Sequence, residues 1–326
     1  SRPDPMKAMV LAAGLGTRMR PLSDLLAKPV LPVLNEPLLH HTLRLLARHG
    51  FRDVVINTHH RADTIRRAVG SGHRFGLRVR YSHEPVILGS GGGPRLVREF
   101  FGTGPALLVN GDCVFDFDLT HLLRRHRAAG AAATLALRPN PDVRRYGPVV
   151  TGPGGWIRSM RRLPRAARGT VSLFSGVQVL DPALLEELPE GPSDIVSDLY
   201  AKLLARGVRL LGVRVRGAWF DLGSPAFYLR SQLRLLSRSK GHTRGVSLVA
   251  RGAHVAKDAQ LARSVVGRGS RIGARARVSG SVLWPGARVG AKARVTDSIV
   301  VGGGRVAEGE RVSRGIVLLG GVVSLT

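Results

Sequence analysis

The sequence predicts an α/β chain in two parts: a mixed, mainly parallel sheet flanked by helices, followed by a parallel β solenoid. Three observations lead there. Short apolar runs alternate with amphipathic ones across the first two-thirds of the chain. Aliphatic positions in the C-terminal quarter recur every 17 residues. A polar, glycine-containing stretch, Ser237 to Arg244, separates the two patterns as a linker would.

The strands expected in the first part are Lys7–Ala13, Asp53–Thr58, Leu77–Ser82, Ala106–Asn110 and Ala132–Leu137. Helices are expected between them at Leu38–His49, Ala62–Val69, Pro94–Phe101 and Leu119–Ala129. Leu39, Thr42, Leu43 and Leu46 place one stripe on the first helix, the spacing of a helix packed on a sheet. Strands that recur with a helix between them imply parallel pairing with both faces covered. After Pro139 the pattern loosens into Gly/Pro/Arg-rich loops. Strands near Val171–Leu180 and Arg209–Val215 follow, then helices near Ser193–Arg206 and Pro225–Ser237. The expected domains are therefore 6–237, a linker at 238–245, and a repeat region at 246–319.

The repeat is the clearest periodicity. Ser264-Val265-Val266, Ser281-Val282-Leu283 and Ser298-Ile299-Val300 stand 17 residues apart, as do Val255, Ile272, Val289 and Val306. Leu261, Val278, Val295 and Val312 form a third column. Each period holds three short strand-plus-turn steps, which close one triangular coil, and stacked coils build a continuous core. This pattern resembles the hexapeptide-repeat left-handed β-helix over Val246 to about Leu319. Arg268, Arg271, Arg275, Arg277, Arg288 and Arg294 fall between the aliphatic columns and are expected to point outward.

Composition narrows the function classes. The 326 residues hold 50 Lys+Arg against 22 Asp+Glu, a net charge of +28, and only six of the basic residues are lysine. A field of that sign attracts polyanions in general. Aromatic residues are 5% of the chain, and no run interleaves them with arginine as a base-stacking platform requires, so no specific nucleic-acid partner is expected. No apolar run approaches the roughly 18 residues of a membrane span, so no membrane partner is expected. The single cysteine, Cys113, forms no internal disulfide and fits a reducing compartment. Residues 1–5 lack the apolar core of a signal peptide, and a cytoplasmic location is expected.

The chemistry-bearing residues begin where the first strand ends, in Leu11-Ala12-Ala13-Gly14-Leu15-Gly16-Thr17-Arg18-Met19-Arg20-Pro21. Small residues after a strand let backbone N–H groups approach a phosphate chain. A P-loop would need Gly-Lys-Ser/Thr and a dinucleotide fingerprint a third glycine at Met19; neither is present. Arg18 and Lys28 place two cations after the turn, on a segment stiffened by Pro21, Pro29 and Pro32. With Ala27-Lys28-Pro29-Val30-Leu31-Pro32-Val33, this stretch resembles the signature of the sugar-1-phosphate nucleotidylyltransferases, with Met19 for Leu, Ser23 for Thr and Ala27 for Pro. The resemblance continues through Glu84-Pro85, the run Gly89-Ser90-Gly91-Gly92-Gly93, Val109-Asn110-Gly111-Asp112, and Trp219-Phe220-Asp221-Leu222-Gly223-Ser224-Pro225.

The resemblance implies a Rossmann-like sheet of the nucleotide-diphospho-sugar transferase type. It also implies a reaction in which a sugar 1-phosphate oxygen attacks the α-phosphorus of a nucleoside triphosphate and pyrophosphate leaves. Such a displacement needs positioning and charge neutralisation more than covalent help. In family terms Asp112 and Asp221 hold Mg²⁺, Arg18 grips the β/γ-phosphates, and Lys28 the transferred phosphate. Leu11, Ala12, Ala13, Gly14, Gly16 and Thr17 cradle the triphosphate, with Glu84, Gly89 and Gly91 lining the nucleotide.

On the sugar side Gly147, within Arg145-Tyr146-Gly147, and Gly176, within Phe174-Ser175-Gly176, match family loops. The family's Glu-Lys-Pro reads Arg162-Leu163-Pro164 here, so either Arg162, Arg161 or Arg165 stands in for the lysine as the phosphate ligand, or the substrate is posed differently, or the chain uses another acceptor. Glu84 beside the base favours guanine, which offers two adjacent N–H donors. The β-helix tail likewise resembles mannose-1-phosphate guanylyltransferases, so GTP with mannose 1-phosphate is the expected pair, and UTP or dTTP with glucose 1-phosphate the alternative. A non-catalytic regulatory relative is a rival reading, opposed by Arg18, Lys28, Asp112 and Asp221. An acyltransferase would need a base on the β-helix, where His254 is the single histidine. His40, His41, His59, His60, His121 and His126 are assigned no catalytic role. The open ends of a β-helix expose strand edges, so a homo-oligomer is expected.

Overall fold

The structure, a computed structural model, describes residues 6–139, 143, 147–161, 169–238 and 246–325. Nine strands form the main sheet: β1 (Lys7–Leu11), β2 (Asp53–Thr58), β3 (Arg78–His83), β4 (Ala106–Asn110), β5 (Ala133–Arg138), β6 (Pro148–Thr151), β7 (Ile157–Met160), β8 (Thr170–Leu180) and β9 (Leu210–Arg214). Pairing is parallel along β3-β2-β1-β4 and between β5 and β9. It turns antiparallel where β8 meets β4, β5 and β6, and where β6 meets β7. Four helices of this region are α1 (Leu38–Arg48), α2 (Ala62–Val69), α3 (Gly89–Leu96) and α4 (Leu119–Ala129). Asp118 caps α4 by accepting the His121 N–H at 2.8 Å, and Gly130 ends it in the left-handed conformation.

Three expectations change here. The helix expected at Pro94–Phe101 begins five residues earlier, inside the glycine run, and breaks at Val97 before a short turn, Arg98–Phe101. Glycine is a poor helix former, so propensity hides this start; packing imposes it. The segment read as loops after Pro139 contains β6 and β7, which are short and partly interrupted by a bulge between Ile157 and Ser159. The helix expected at Ser193–Arg206 is a π-helical segment, Ile195–Tyr200, continued as α-helix over Ala201–Ala205.

The chain divides into two compact units, Ser1–Leu15 with Leu39–Trp219, and Gly16–Leu38 with Phe220–Thr326. The first has its core around Met9, Leu108, Leu135, Leu180, Leu199 and Tyr200. The second joins helix α5 (Pro225–Arg238) and the Gly16–Leu38 segment to the coils. Three parallel sheets make those coils, with registers such as Val265↔Val282↔Ile299, Ile272↔Val289↔Val306 and Val278↔Val295↔Val312, each 17 residues apart. Val266, Ile272, Val278, Leu283, Val289, Val295, Val300, Val306, Val312 and Val317 fill the interior.

A serine ladder stitches one edge. Ser264, Ser281 and Ser298 are fully buried, and the Oγ of each accepts the N–H one coil onward, from Ser281, Ser298 and Gly315, at 3.1–3.2 Å. Each hydroxyl also donates to the carbonyl two residues back, so no buried polar atom of the ladder is left unpaired. The stack ends as Gly315–Leu318 pairs antiparallel with Gly321–Ser324, a hairpin that exposes Leu319, Val322 and Val323.

Candidate functional site

In the first unit, β1 delivers the Gly14 turn and β4 delivers Asp112. Leu11 is in parallel register with Asn110, and the Gly111 N–H donates to the Leu11 carbonyl at 2.9 Å. This hydrogen bond ties the two strand ends together. A Cβ on Gly111 would sit 2.9 Å from that carbonyl, so glycine is needed for the approach. Ala12 and Ala13 are buried, while Gly14 and Leu15 are exposed and a Cβ on Gly14 would meet nothing within 4 Å. Asp112 is half-buried just past β4, at the carboxyl edge of the parallel strands, where open α/β sheets bind ligands. The Cys113 thiol lies 3.4 Å from Asp112 Oδ1 as a weak donor.

Behind this edge lies a buried polar brace that sequence reading did not find. Asn57, the last-but-one residue of β2, accepts the Ala12 N–H on Oδ1 at 2.7 Å and donates from Nδ2 to Glu84 Oε1 at 2.7 Å. Glu84 Oε2 accepts the Leu88 N–H at 2.9 Å, next to the start of α3. The Glu84 carbonyl accepts from His59 Nδ1, at 2.7 Å. Glu84 is 0% exposed. The expectation of a Glu84 carboxylate beside the base is therefore corrected: both oxygens are buried and partnered within the protein. A signal existed, since Asn57 is the one amide of β2 and follows the apolar run Val54-Val55-Ile56.

The glycine run is explained by close packing. A Cβ on Gly93 would lie 2.6 Å from Glu84 Oε1 and 2.9 Å from Asn57 Nδ2. Those on Gly91 and Gly92 would meet Ser193 Oγ at 2.8 Å and the Gly191 carbonyl at 2.2 Å. The Gly91 N–H donates to the Ser193 carbonyl at 2.9 Å, which ties the glycine run to that neighbouring loop. Gly89 is exposed at the helix start.

On the expected sugar side, Gly147 precedes β6 and Gly176 sits in β8 against the Asn110 side chain. Arg161 is committed to Asp194, with contacts of 2.9 and 3.0 Å. Burial acts to raise the Asp194 carboxyl. The Ser197 N–H, the Arg161 guanidinium and the Ser90 hydroxyl outweigh it and hold that carboxyl below its ordinary value. Arg145, Tyr146, Arg162 and Arg165 lie outside the described residues.

The second unit carries Gly16, Thr17, Arg18, Lys28 and Asp221. Gly16 has φ +64°, accepts the Met19 N–H at 2.8 Å and starts the single turn Thr17–Met19. Met19 is fully buried and anchors the turn, while Thr17 and Arg18 are exposed. Lys28 is buried, and its Cβ would lie 3.2 Å from a Cβ on Gly16, so its stem packs against the turn. The Ser23 hydroxyl beside them is buried with no hydrogen-bond partner among the described residues.

The segment bearing Lys28 is clamped from α5. Tyr228 and Gln232 both donate to the Pro32 carbonyl, the latter at 2.8 Å, and the Leu34 N–H donates to Gln232 Oε1 at 2.8 Å. Trp284 Nε1 donates to the Tyr228 hydroxyl at 3.0 Å, and Asn35 Nδ2 to the Val266 carbonyl at 3.0 Å, which extends the clamp into the coils. Burial pushes the Tyr228 phenol well above its ordinary value, against the opposing Trp284 and Gln232 hydrogen bonds, so it stays a donor. Asp221 is half-buried before α5, its carbonyl accepting from Ser231 Oγ at 3.3 Å. Its carboxylate lies 2.8 Å from where a Cβ on Gly223 would be.

Residues 7–238 match the nucleotidyl transferase family, and residues 235–316 match the GlmU-like C-terminal hexapeptide family. A UTP–glucose-1-phosphate uridylyltransferase from Synechocystis sp. is 34% identical over 248 residues, covering 72% of this chain and 64% of that protein. A mannose-1-phosphate guanylyltransferase catalytic subunit beta from Xenopus tropicalis is 28% identical, covering 69% of this chain and 63% of that one. The matched region thus spans less than two thirds of these relatives. A Bacillus anthracis structure, assigned as a glucose-1-phosphate thymidylyltransferase, superposes with a TM-score of 0.63 at 24% identity. It covers 73% of this chain and 98% of that one, which shows a shared fold. No helix among the described residues is long and apolar enough to cross a membrane. With the matched region covering most of the chain, the protein belongs to the nucleotidyl transferase family.

Proposed function

We propose that the chain transfers a nucleoside monophosphate from a nucleoside triphosphate to a sugar 1-phosphate. One sugar-phosphate oxygen forms a bond to the α-phosphorus, the bond from that phosphorus to the bridging β-phosphate oxygen breaks, and pyrophosphate leaves. The observation that carries the reading is the Leu11–Gly111 hydrogen bond, 2.9 Å long, which sets Asp112 beside the root of an exposed glycine turn at the carboxyl edge of parallel strands. Catalysis is assigned to 6–237 and the coils to 246–319.

Arg18 and Lys28 supply the cations for the phosphates, and the exposed Gly14 and Thr17 the backbone approach. Asp112 and Asp221 are assigned as the carboxylates that hold Mg²⁺. Among the described residues no group of three or more His, Cys, Asp or Glu gathers as a metal cage. A pair of carboxylates fits an ion that takes one or two protein oxygens and completes its shell with water and substrate phosphates. Bound there, Mg²⁺ would neutralise phosphate charge.

With Glu84 buried and partnered, the argument for guanine from that carboxylate falls away. The 34% identity to a uridylyltransferase against 28% to a guanylyltransferase favours UTP with glucose 1-phosphate, with GTP and mannose 1-phosphate the second pair. The exposed Leu319, Val322 and Val323 support self-association, which light scattering measures. The test of function is a matrix of four triphosphates against common hexose 1-phosphates with Mg²⁺, scored by pyrophosphate release. Release that needs both substrates supports the reading, and no release with any pair overturns it.

A further inference from the structure

Six arginines of the coils stand in two straight columns. Parallel register sets Arg271, Arg288 and Arg305 over one another on the second sheet, and Arg277, Arg294 and Arg311 on the third. Successive strands of a sheet lie about 4.8 Å apart, far inside a Debye length of roughly 8 Å at physiological salt. Like charges directly opposite one another destabilise a sheet, so each column carries a standing repulsion. All six are exposed, and none of their guanidinium groups has an ion-pair or hydrogen-bond partner among the described residues.

The coil region's own acids do not relieve the columns. Asp258 accepts the Arg275 N–H, Glu308 pairs with Lys292 at 3.1 Å, Glu310 accepts the Ala307 N–H, and Asp297 lies beside Gly280. On the third sheet each arginine shares its face with a hydroxyl two residues on: Ser279, Thr296 and Ser313, themselves in register. Guanidinium and hydroxyl side by side are the donors that proteins set against phosphodiester oxygens.

We propose that this third-sheet face binds the phosphate backbone of a nucleic-acid duplex without reading its sequence. A straight column of closely spaced cations matches a linear array of anions, and duplex DNA carries one charge per about 1.7 Å of axis. The face presents Arg277, Ser279, Arg294, Thr296, Arg311 and Ser313, with no aromatic or large apolar side chain among them. Base stacking and lipid insertion both need such side chains, so backbone contact is what remains. The expectation that no specific nucleic acid is bound is compatible with this, because affinity here carries no sequence information.

The experiment is fluorescence anisotropy of the full chain with a short labelled duplex of mixed sequence, titrated with salt. Wild type is expected to bind two unrelated duplexes equally. The triple variant R277A/R294A/R311A is expected to weaken binding at least about tenfold at low salt and to reduce the salt slope by about 2.7, three contacts at roughly 0.9 each. The matching Arg→Lys triple keeps the charge and retains binding. A variant with the same charge loss elsewhere, R125A/R127A/R234A, is expected to leave the slope unchanged. Equal losses in both alanine triples would assign binding to the diffuse field of the whole chain and overturn the proposal. So would an unchanged slope in the coil variant, or binding of wild type to anionic vesicles but not to duplex. Melting of each variant checks the fold, and removal of outward arginines is expected to preserve or raise its midpoint.

Discussion

Asn57 Nδ2 donates to Glu84 Oε1 at 2.7 Å, and both side chains are buried beneath the carboxyl edge of the sheet. Through its other atoms the pair reaches the Ala12 N–H, at the root of the glycine turn, and the Leu88 N–H, at the root of α3. One amide and one carboxylate thus fix two loop origins by four hydrogen-bonding atoms. Glu84→Ala would leave Asn57 Nδ2 buried without an acceptor, at about 1–3 kcal/mol, and would also remove the acceptor of the part-buried Leu88 N–H. Urea unfolding should show a clear fall in midpoint for Glu84→Ala and a smaller one for Glu84→Gln. Because the carboxylate is hidden, Glu84→Gln should leave the ranking of triphosphates unchanged. A reordered ranking would place the side chain at the base after all.

Gly93→Ala tests the same brace from the opposite side. The new methyl would lie 2.6 Å from Glu84 Oε1 and 2.9 Å from Asn57 Nδ2, both held by hydrogen bonds. Overpacking of this kind costs about 1–3 kcal/mol. Gly14→Ala, where a Cβ meets nothing within 4 Å, should be nearly neutral in the same unfolding experiment.

Tyr228→Phe removes a donor to the Pro32 carbonyl and the acceptor of Trp284 Nε1. Pro32 keeps Gln232 as a donor, but the indole N–H is left buried and unpaired. A loss of about 1–3 kcal/mol is expected in denaturant. The Trp284→Phe partner mutation should cost less in the Tyr228→Phe background than in wild type, which a double-mutant cycle measures.

His126 gives a pH dependence. Its ring is buried, with Nδ1 2.9 Å from the Thr134 hydroxyl. Burial, aided by Arg127 and opposed by Asp181, holds its pKa below the ordinary 6.5. The unfolded chain therefore takes up the proton first, so the neutral ring costs nothing above about pH 6.5 and stability falls as pH drops below that value toward the folded pKa. His126→Gln should flatten this decline between neutral and mildly acidic pH. An identical pH profile in the variant would remove His126 as its source.

The strands β1, β2 and β4 were legible because apolar runs bounded by turns leave little choice of element, and Asp53–Thr58 and Ala106–Asn110 were read to the residue. The coils were legible because a 17-residue period repeats in three columns. The depth of one column was not legible: Val265, Val282, Ile299 and Ile316 alternate with the inward residues, yet all are at most 2% exposed. Alternation marks them as outward-facing in the coil, so their burial comes from packing outside it, with α5 against the Val265–Val266 strand and the terminal hairpin beside Ile316. Glu84 was misread for a similar reason. A carboxylate is normally solvated, and nothing local announces that Asn57, 27 residues earlier, will bury it as a partner. Arg161 was open as a phosphate ligand until its pairing with Asp194, 33 residues away, was visible.

The most direct test of the central assignment is pyrophosphate release by Asp112→Asn and Asp221→Asn, each compared with wild type over a range of Mg²⁺ and each checked for an unchanged melting midpoint. Both variants are expected to fold normally and to lose Mg²⁺-dependent release from a triphosphate and a sugar 1-phosphate. Wild-type rates in either folded variant would contradict that assignment.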